Sequence, residues 1–172
     1  MNYSQSDRSK MWMTEALYKL MEMKPYASIT IKEITETAGV SRLTFYRNFS
    51  SKENILEQHF QTLFQEFMEH ISEKQIDTMR DIIELMYSLW LSNKAHIKLL
   101  LKNNLGDILY APFSHNLKAL LKHLDLSGKI NEHQIAFISG GLYTSMLHWL
   151  DYGENGSEKI ADSILDILKL PE

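Results

Sequence analysis

Arg42, Thr44, Tyr46, Arg47 and Asn48 crowd one short stretch of the chain with guanidinium, hydroxyl and amide groups. Side chains of these types hydrogen-bond to phosphate oxygens and to base edges. An arginine held rigidly can grip guanine O6 and N7 through paired bonds, which is worth about 1–3 kcal/mol of discrimination between bases. Phe45 and Phe49, four positions apart, supply the opposite, apolar face of the same helix. A helix divided this way packs by one side and offers donors on the other.

The residues before it say how it is held. Thr30 and Glu33 have the spacing of a capping box, and Ile31, Ile34 and Ala38 form one apolar stripe behind them. Gly39 follows the last periodic residue, where a helix ends in the left-handed conformation. Val40 is a plug between two helices, and Ser41 caps the second through its hydroxyl. Helix, glycine turn and half-polar helix together make a helix-turn-helix, whose partner is double-stranded DNA. Lys52 opens the next helix, where ammonium and helix N-terminus suit an anion, and Thr30 stands in the same situation. The expected DNA-contacting set is therefore Thr30, Ser41, Arg42, Leu43, Thr44, Tyr46, Arg47, Asn48 and Lys52. Arg42 is open to either a guanine or a phosphate contact. Leu43 is open to either a thymine methyl or packing inside the headpiece. Arg8 and Lys10 are open to either a further phosphate contact or solvation.

The segment resembles the TetR family of bacterial transcription regulators. The resemblance runs through Thr30, Ile31, Ile34, Ala38-Gly39-Val40-Ser41, Thr44, Tyr46, Phe49, Lys52-Glu53 and Ile55-Leu56, roughly the first third of the chain. Four positions depart from the family pattern. Leu43 replaces a small residue, Asn48 a frequent histidine and Thr35 an alanine, and Lys24-Pro25 stands where a glycine commonly ends the first helix. Pro25 can end that helix by itself, since it disfavours helical geometry at the residue before it.

The rest of the chain reads as helix almost throughout. Prolines number three, and alternating β-branched runs are missing. Apolar spacing predicts helices over about 7–23, from 50 or 51 to about 71, and over 78–91, 94–103, 108–124, 132–152 and 157–170, with 125–129 the clearest loop and Pro171 as a stop. Asn131 and Gln134 cap the helix over 132–152. The expected fold is all-α, about nine helices, with a three-helix headpiece over 1–52 joined through a long fourth helix to a helical ligand-binding and dimerisation bundle over 53–172.

What the resemblance implies extends to that bundle. The last two helices would meet their twins in a homodimer through Ile135, Ile138, Leu142, Met146, Trp149, Ile160, Ile164, Ile167 and Leu168, around Gly140-Gly141; the alternative is that these stripes face only their own core. A mostly apolar inducer pocket would draw on Met86, Tyr87, Trp90, Tyr110, Phe113, Leu117, Phe137 and Tyr143, most of which can equally be plain core. Tyr46 matches a family tyrosine that reaches phosphate. The implied function is a sequence-specific regulator, a repressor released from a pseudo-palindromic operator by a small molecule. The alternative is a regulator of the same kind without an inducer, controlled by a protein partner.

Composition bounds these readings. Cysteine is absent, which rules out disulfides and thiolate metal sites and fits a cytoplasmic protein. No apolar run reaches the ~18–20 residues that span a bilayer, and the first ten residues show no signal-peptide pattern. The seven histidines show no H-E-x-x-H spacing, and no G-x-S-x-G elbow or phosphate loop appears, so no metal, cofactor or enzymatic activity is expected. Net charge is −4, but residues 1–59 hold eight Lys+Arg against seven Asp+Glu, leaving the acidic excess elsewhere.

Overall fold

The computed structural model describes residues 4–124, 130–152 and 157–168. Within them are nine α-helices: α1 (Gln5–Met23), α2 (Ile31–Ala38), α3 (Arg42–Asn48), α4 (Lys52–Glu73), α5 (Met79–Ser92), α6 (Lys94–Lys102), α7 (Asp107–His123), α8 (Glu132–Tyr152) and α9 (Ser157–Leu168), with one 3₁₀ turn at Tyr26–Ser28. The all-α expectation holds among the described residues. The loop over 125–129, the end of the last helix near Leu170 and the stop at Pro171 lie outside them.

Local chemistry accounts for the helix ends. Ser4 and Asp7 form a capping box at the start of α1. Lys24, ahead of Pro25, is extended at φ −157° and ψ 161°, the geometry the following proline imposes. Thr30 and Glu33 form the expected box on α2, and Gly39 ends α2 at φ +68°. A side chain at Gly39 would meet nothing within 4 Å, so the backbone conformation alone favours glycine there. At the start of α4 the Ser51 hydroxyl accepts from the Asn54 amide at 3.1 Å.

Two compact units result. One comprises Met1–Thr62 with Lys98–Ile108, the other Leu63–Ile97 with Leu109–Glu172. The first is organised around Met13, Leu17, Ile34, Phe45, Ile55 and Leu56, all 0% exposed. Thr35 is buried as well, and its hydroxyl donates to the Lys32 carbonyl at 2.9 Å. A threonine is thus tolerated at that position without a stranded polar group. The second unit has its own core of Ile71, Ile82, Ile83, Tyr87, Leu121, Leu142, Met146 and Ala161. There α5 packs along α9 and against α8, and Arg80 pairs with Asp162 across α5 and α9.

The Thr30–Glu33 box is reinforced by Lys24, which donates to the Glu33 carboxylate. The Lys24 ammonium first, then the Thr30 amide and hydroxyl, hold the Glu33 carboxyl down to about 2, against an ordinary 4.5. Because the folded value lies below the unfolded one, this network favours the folded chain above about pH 4.5. Its contribution fades as pH falls towards about 2. Glu33→Gln is expected to lower the melting temperature at pH 7 and to reduce the loss of stability between these two pH values, followed by circular dichroism. An acid profile identical to that of the unsubstituted chain would exclude the network.

Candidate nucleic-acid interface

Only seven residues form α3, too few to hold a helix by backbone bonds alone. Its position comes from one side. Phe45 is fully buried and Phe49 nearly so, with ring centroids 5.9 Å apart. The Ser41 hydroxyl accepts from the Thr44 amide at 3.0 Å and so caps the start. Given that orientation, Arg42, Leu43, Tyr46 and Arg47 fall on the exposed face, with Leu43 60% and Tyr46 61% exposed. Neither arginine meets an acid among the described residues, and no local hydrogen bond holds either guanidinium. The Phe45 ring meets Tyr46 edge-on at 5.3 Å, so the phenol is braced from below while its hydroxyl stays outside. Leu43 is therefore a surface residue; the alternative of packing inside the headpiece is excluded.

The remaining members of the expected set have structural commitments. Thr30 spends its hydroxyl on Glu33. Ser41 and Thr44 share a hydroxyl–hydroxyl bond of 2.9 Å. Asn48 is engaged at both ends: its Oδ1 accepts from Ser6 at 2.6 Å and its Nδ2 donates to the Thr44 carbonyl at 2.7 Å. It ties the end of α3 to α1 and commits the carbonyl end and one of the two Nδ2 hydrogens of its amide.

Lys52 requires the largest revision. Its Nζ donates to the carbonyls of Tyr26 at 2.8 Å, Ile29 at 3.0 Å and Ala27 at 3.5 Å, and it sits 4.2 Å from the Tyr26 ring centroid. An ammonium has three donors, and this cage uses all of them. The expected anion contact at the start of α4 is replaced by a clamp on the turn between α1 and α2. Local sequence does not reveal this, since its acceptors are main-chain atoms more than twenty positions away.

In the second unit the residues singled out for a ligand pocket divide. Trp90, Tyr110, Phe113 and Tyr143 form a half-buried aromatic cluster, with centroid separations of 5.8 Å for Trp90–Tyr143, 6.3 Å for Trp90–Phe113 and 5.1 Å for Tyr110–Tyr143. Met86, Tyr87 and Leu117 are packed in the core, and the Tyr87 hydroxyl donates to Ser145 at 2.8 Å. Phe137 is 71% exposed and is not part of the cluster.

The residues expected at a dimer interface also move. Ile138, Leu142, Met146 and Ile164 are buried in the core of their own chain, with Ile135, Trp149 and Ile160 packed against them. Only Ile167, 73% exposed, stands clear, and the side chain of Leu168 lies outside the described residues. The exposed face of α8 instead carries His133, Phe137, Gly141, Thr144 and His148, again at helical spacing. One apolar stripe cannot serve core and partner together.

Comparison with known proteins gives this geometry a context. The family model described as bacterial regulatory proteins, tetR family, matches residues 14–58. The uncharacterized HTH-type transcriptional regulator YxbF of Bacillus subtilis (strain 168) is 36% identical over 73 residues, 40% of this chain but 19% of that protein's length. Among solved structures, a TetR-family regulator from Syntrophomonas wolfei superposes with a TM-score of 0.64 at 18% identity, covering 96% of this chain and 95% of that one. The dihydroxyacetone kinase operon activator DhaS gives 0.60 at 20%, covering 94% of each. The Thermus thermophilus repressor FadR, solved with lauroyl-CoA, gives 0.55 at 18%, covering 95% of this chain and 96% of that one. The structural likenesses, at 20% identity or below, concern the fold alone.

Lys52→Ala is expected to lower the melting temperature of the first unit while leaving the salt dependence of DNA binding unchanged. Arg47→Ala is expected to flatten that dependence by about one unit in log–log slope. A flattened slope for Lys52→Ala would return Lys52 to the phosphate-contacting set.

Proposed function

Because residues 14–58 match the family model of bacterial regulatory proteins, tetR family, we propose that the chain is a regulator of that family: a sequence-specific DNA-binding repressor that works as a homodimer and leaves its operator when a small molecule binds. The observation that carries this reading is the exposed face of α3. Two arginines, a phenol and a leucine project outward, the guanidinium groups without an acid or hydrogen-bond partner among the described residues, on a helix locked from behind by Phe45 and Phe49. In a major groove, Arg42 at the start of α3 reads a guanine edge and Leu43 meets a thymine methyl. Arg47 and Tyr46 hold the flanking phosphates. Gel shift with the DNA upstream of its own gene tests the reading: specific binding in moderate salt is expected, and none with dimeric protein would overturn it. Arg42→Ala is expected to weaken operator binding by about 1–3 kcal/mol and to relax preference at one base pair. Equal losses on operator and scrambled DNA would assign Arg42 to phosphate.

A single headpiece of charge near +1 gathers few phosphates, so two copies are needed for useful affinity. The outer face of α8 supports the pairing. Phe137 is exposed, and the space around Gly141 is open enough for a second helix to approach. Phe137→Asp is expected to raise the dimer dissociation constant at least about ten-fold by ultracentrifugation, since a two-fold interface loses each contact twice. An unchanged dimer would move the interface off this face.

The Trp90, Tyr110, Phe113 and Tyr143 cluster supports an apolar or aromatic effector in the second unit. The Thermus thermophilus FadR structure holds lauroyl-CoA, so long-chain acyl-CoA belongs in the first effector panel. An effector that binds better to the conformation unable to bind DNA lowers operator affinity by the difference in its two binding free energies.

A further inference from the structure

The turn between α1 and α2 has an unusual dependence. Tyr26 is buried, and its amide begins a 3₁₀ turn with no side-chain cap of its own. Besides the Ser28 hydroxyl on Pro25 O at 2.7 Å, the turn closes itself through two backbone bonds, Ser28 N–H to Pro25 O and Ile29 N–H to Tyr26 O, both 3.0 Å. Neither bond uses the Tyr26 N–H. Its acceptor is Asn103 Oδ1 at 2.9 Å, 77 positions further along the chain.

Asn103 is built to make that contact. Its Nδ2 donates to the Leu99 carbonyl at 2.9 Å, which fixes which end of the amide faces Tyr26. Asn104 then adopts φ +58°, and the Leu105 amide returns to the Leu100 carbonyl at 3.0 Å, while Asn104 N–H reaches Leu101 O at 3.1 Å. These are the two bonds of a Schellman end, with asparagine in the left-handed position it tolerates better than most residues. The whole stretch Lys98–Ile108 clusters with the headpiece, although its neighbours in sequence on both sides belong to the other unit.

From the opposite side Lys52 grips the carbonyls of Tyr26, Ala27 and Ile29, and Lys24 reaches Ser28 O at 3.3 Å. The Tyr26 N–H and the carbonyls of Tyr26, Ala27, Ser28 and Ile29 are thus all held from outside the turn. The turn sets where Ile29 and Thr30 start α2, and α2 packs on both α1 and α3. We propose that Asn103, which lies outside the helix-turn-helix segment, is a positioning residue for DNA recognition: it fixes the Tyr26 turn and, through α2, the angle at which α3 presents Arg42 and Arg47. Removing its acceptor leaves a buried donor unpaired and lets α2 and α3 shift together.

This role rests on the DNA-binding reading, and the test separates the two. In the full-length chain, Asn103→Leu keeps the size and loses the acceptor, whereas Asn103→Asp keeps an acceptor oxygen. Well below the melting temperature, Asn103→Leu is expected to speed hydrogen exchange at the Tyr26 amide about ten-fold. It should also cut the operator-to-scrambled affinity ratio about ten-fold, with non-specific affinity and salt slope unchanged. Asn103→Asp should restore most of the ratio. A merely destabilising change would weaken all DNA alike through the folded fraction and leave the ratio intact, and that outcome overturns the proposal. So does unchanged exchange at Tyr26, or a ratio that Asn103→Asp fails to recover. Absence of specific binding by the unsubstituted dimer would overturn the DNA reading itself, and the role of Asn103 with it.

Discussion

The burial of Phe45 and Phe49 is the constraint from which the recognition surface follows. A seven-residue helix cannot persist in water, because nucleation costs more than its few backbone bonds return. Two phenyl rings one turn apart anchor α3 into the headpiece core, where removing either would cost about 3–5 kcal/mol. Once they point inward, helical geometry alone sends Arg42, Leu43, Tyr46 and Arg47 outward. The donor-rich face therefore depends on packing and needs no polar contact to hold it out.

A second division runs through the polar residues of the headpiece. Thr30, Ser41, Thr44, Asn48 and Lys52 look alike in sequence to Arg42 and Arg47, being donors near helix ends. In the fold they are engaged by caps, by Ser6 and by main-chain carbonyls. Such bonds hold α1 to α4 in a fixed arrangement, and rigidity is what a base-reading helix requires: an ordered arginine fork loses less entropy on meeting a guanine than a mobile one. In the proposed DNA complex the structural donors contribute to recognition by position, and the exposed ones by contact.

Sequence was a good guide wherever the cause is local. The capping box at Thr30, the left-handed end at Gly39, the stop before Pro25 and the opposed faces of α3 all arise within five residues, and each stands where the spacing placed it. It failed where a partner comes from far away. Nothing near Lys52 announces that its acceptors are Tyr26 and Ile29, and nothing near Asn103 points to Tyr26. It also failed where one apolar period has two possible uses. The stripe of Ile138, Leu142 and Met146 satisfies a dimer and a core equally well on paper, and burial within a single chain decides for the core.

Charge explains why the remaining apolar surface matters. With eight basic and seven acidic side chains up to residue 59, and three of the basic ones, Lys24, Lys32 and Lys52, engaged with acids or carbonyls, few cations are left for phosphates. Each phosphate contact contributes about 0.9 to the salt slope of binding, so one headpiece has only a shallow electrostatic grip on a duplex. Doubling the contacts on one rigid body adds their free energies while the translational and rotational cost of binding is incurred once. An exposed phenyl ring at Phe137 beside an open glycine at Gly141 is then more than a tolerated surface defect. For a headpiece this weakly charged, the proposed association through such a face would be a condition of tight DNA binding.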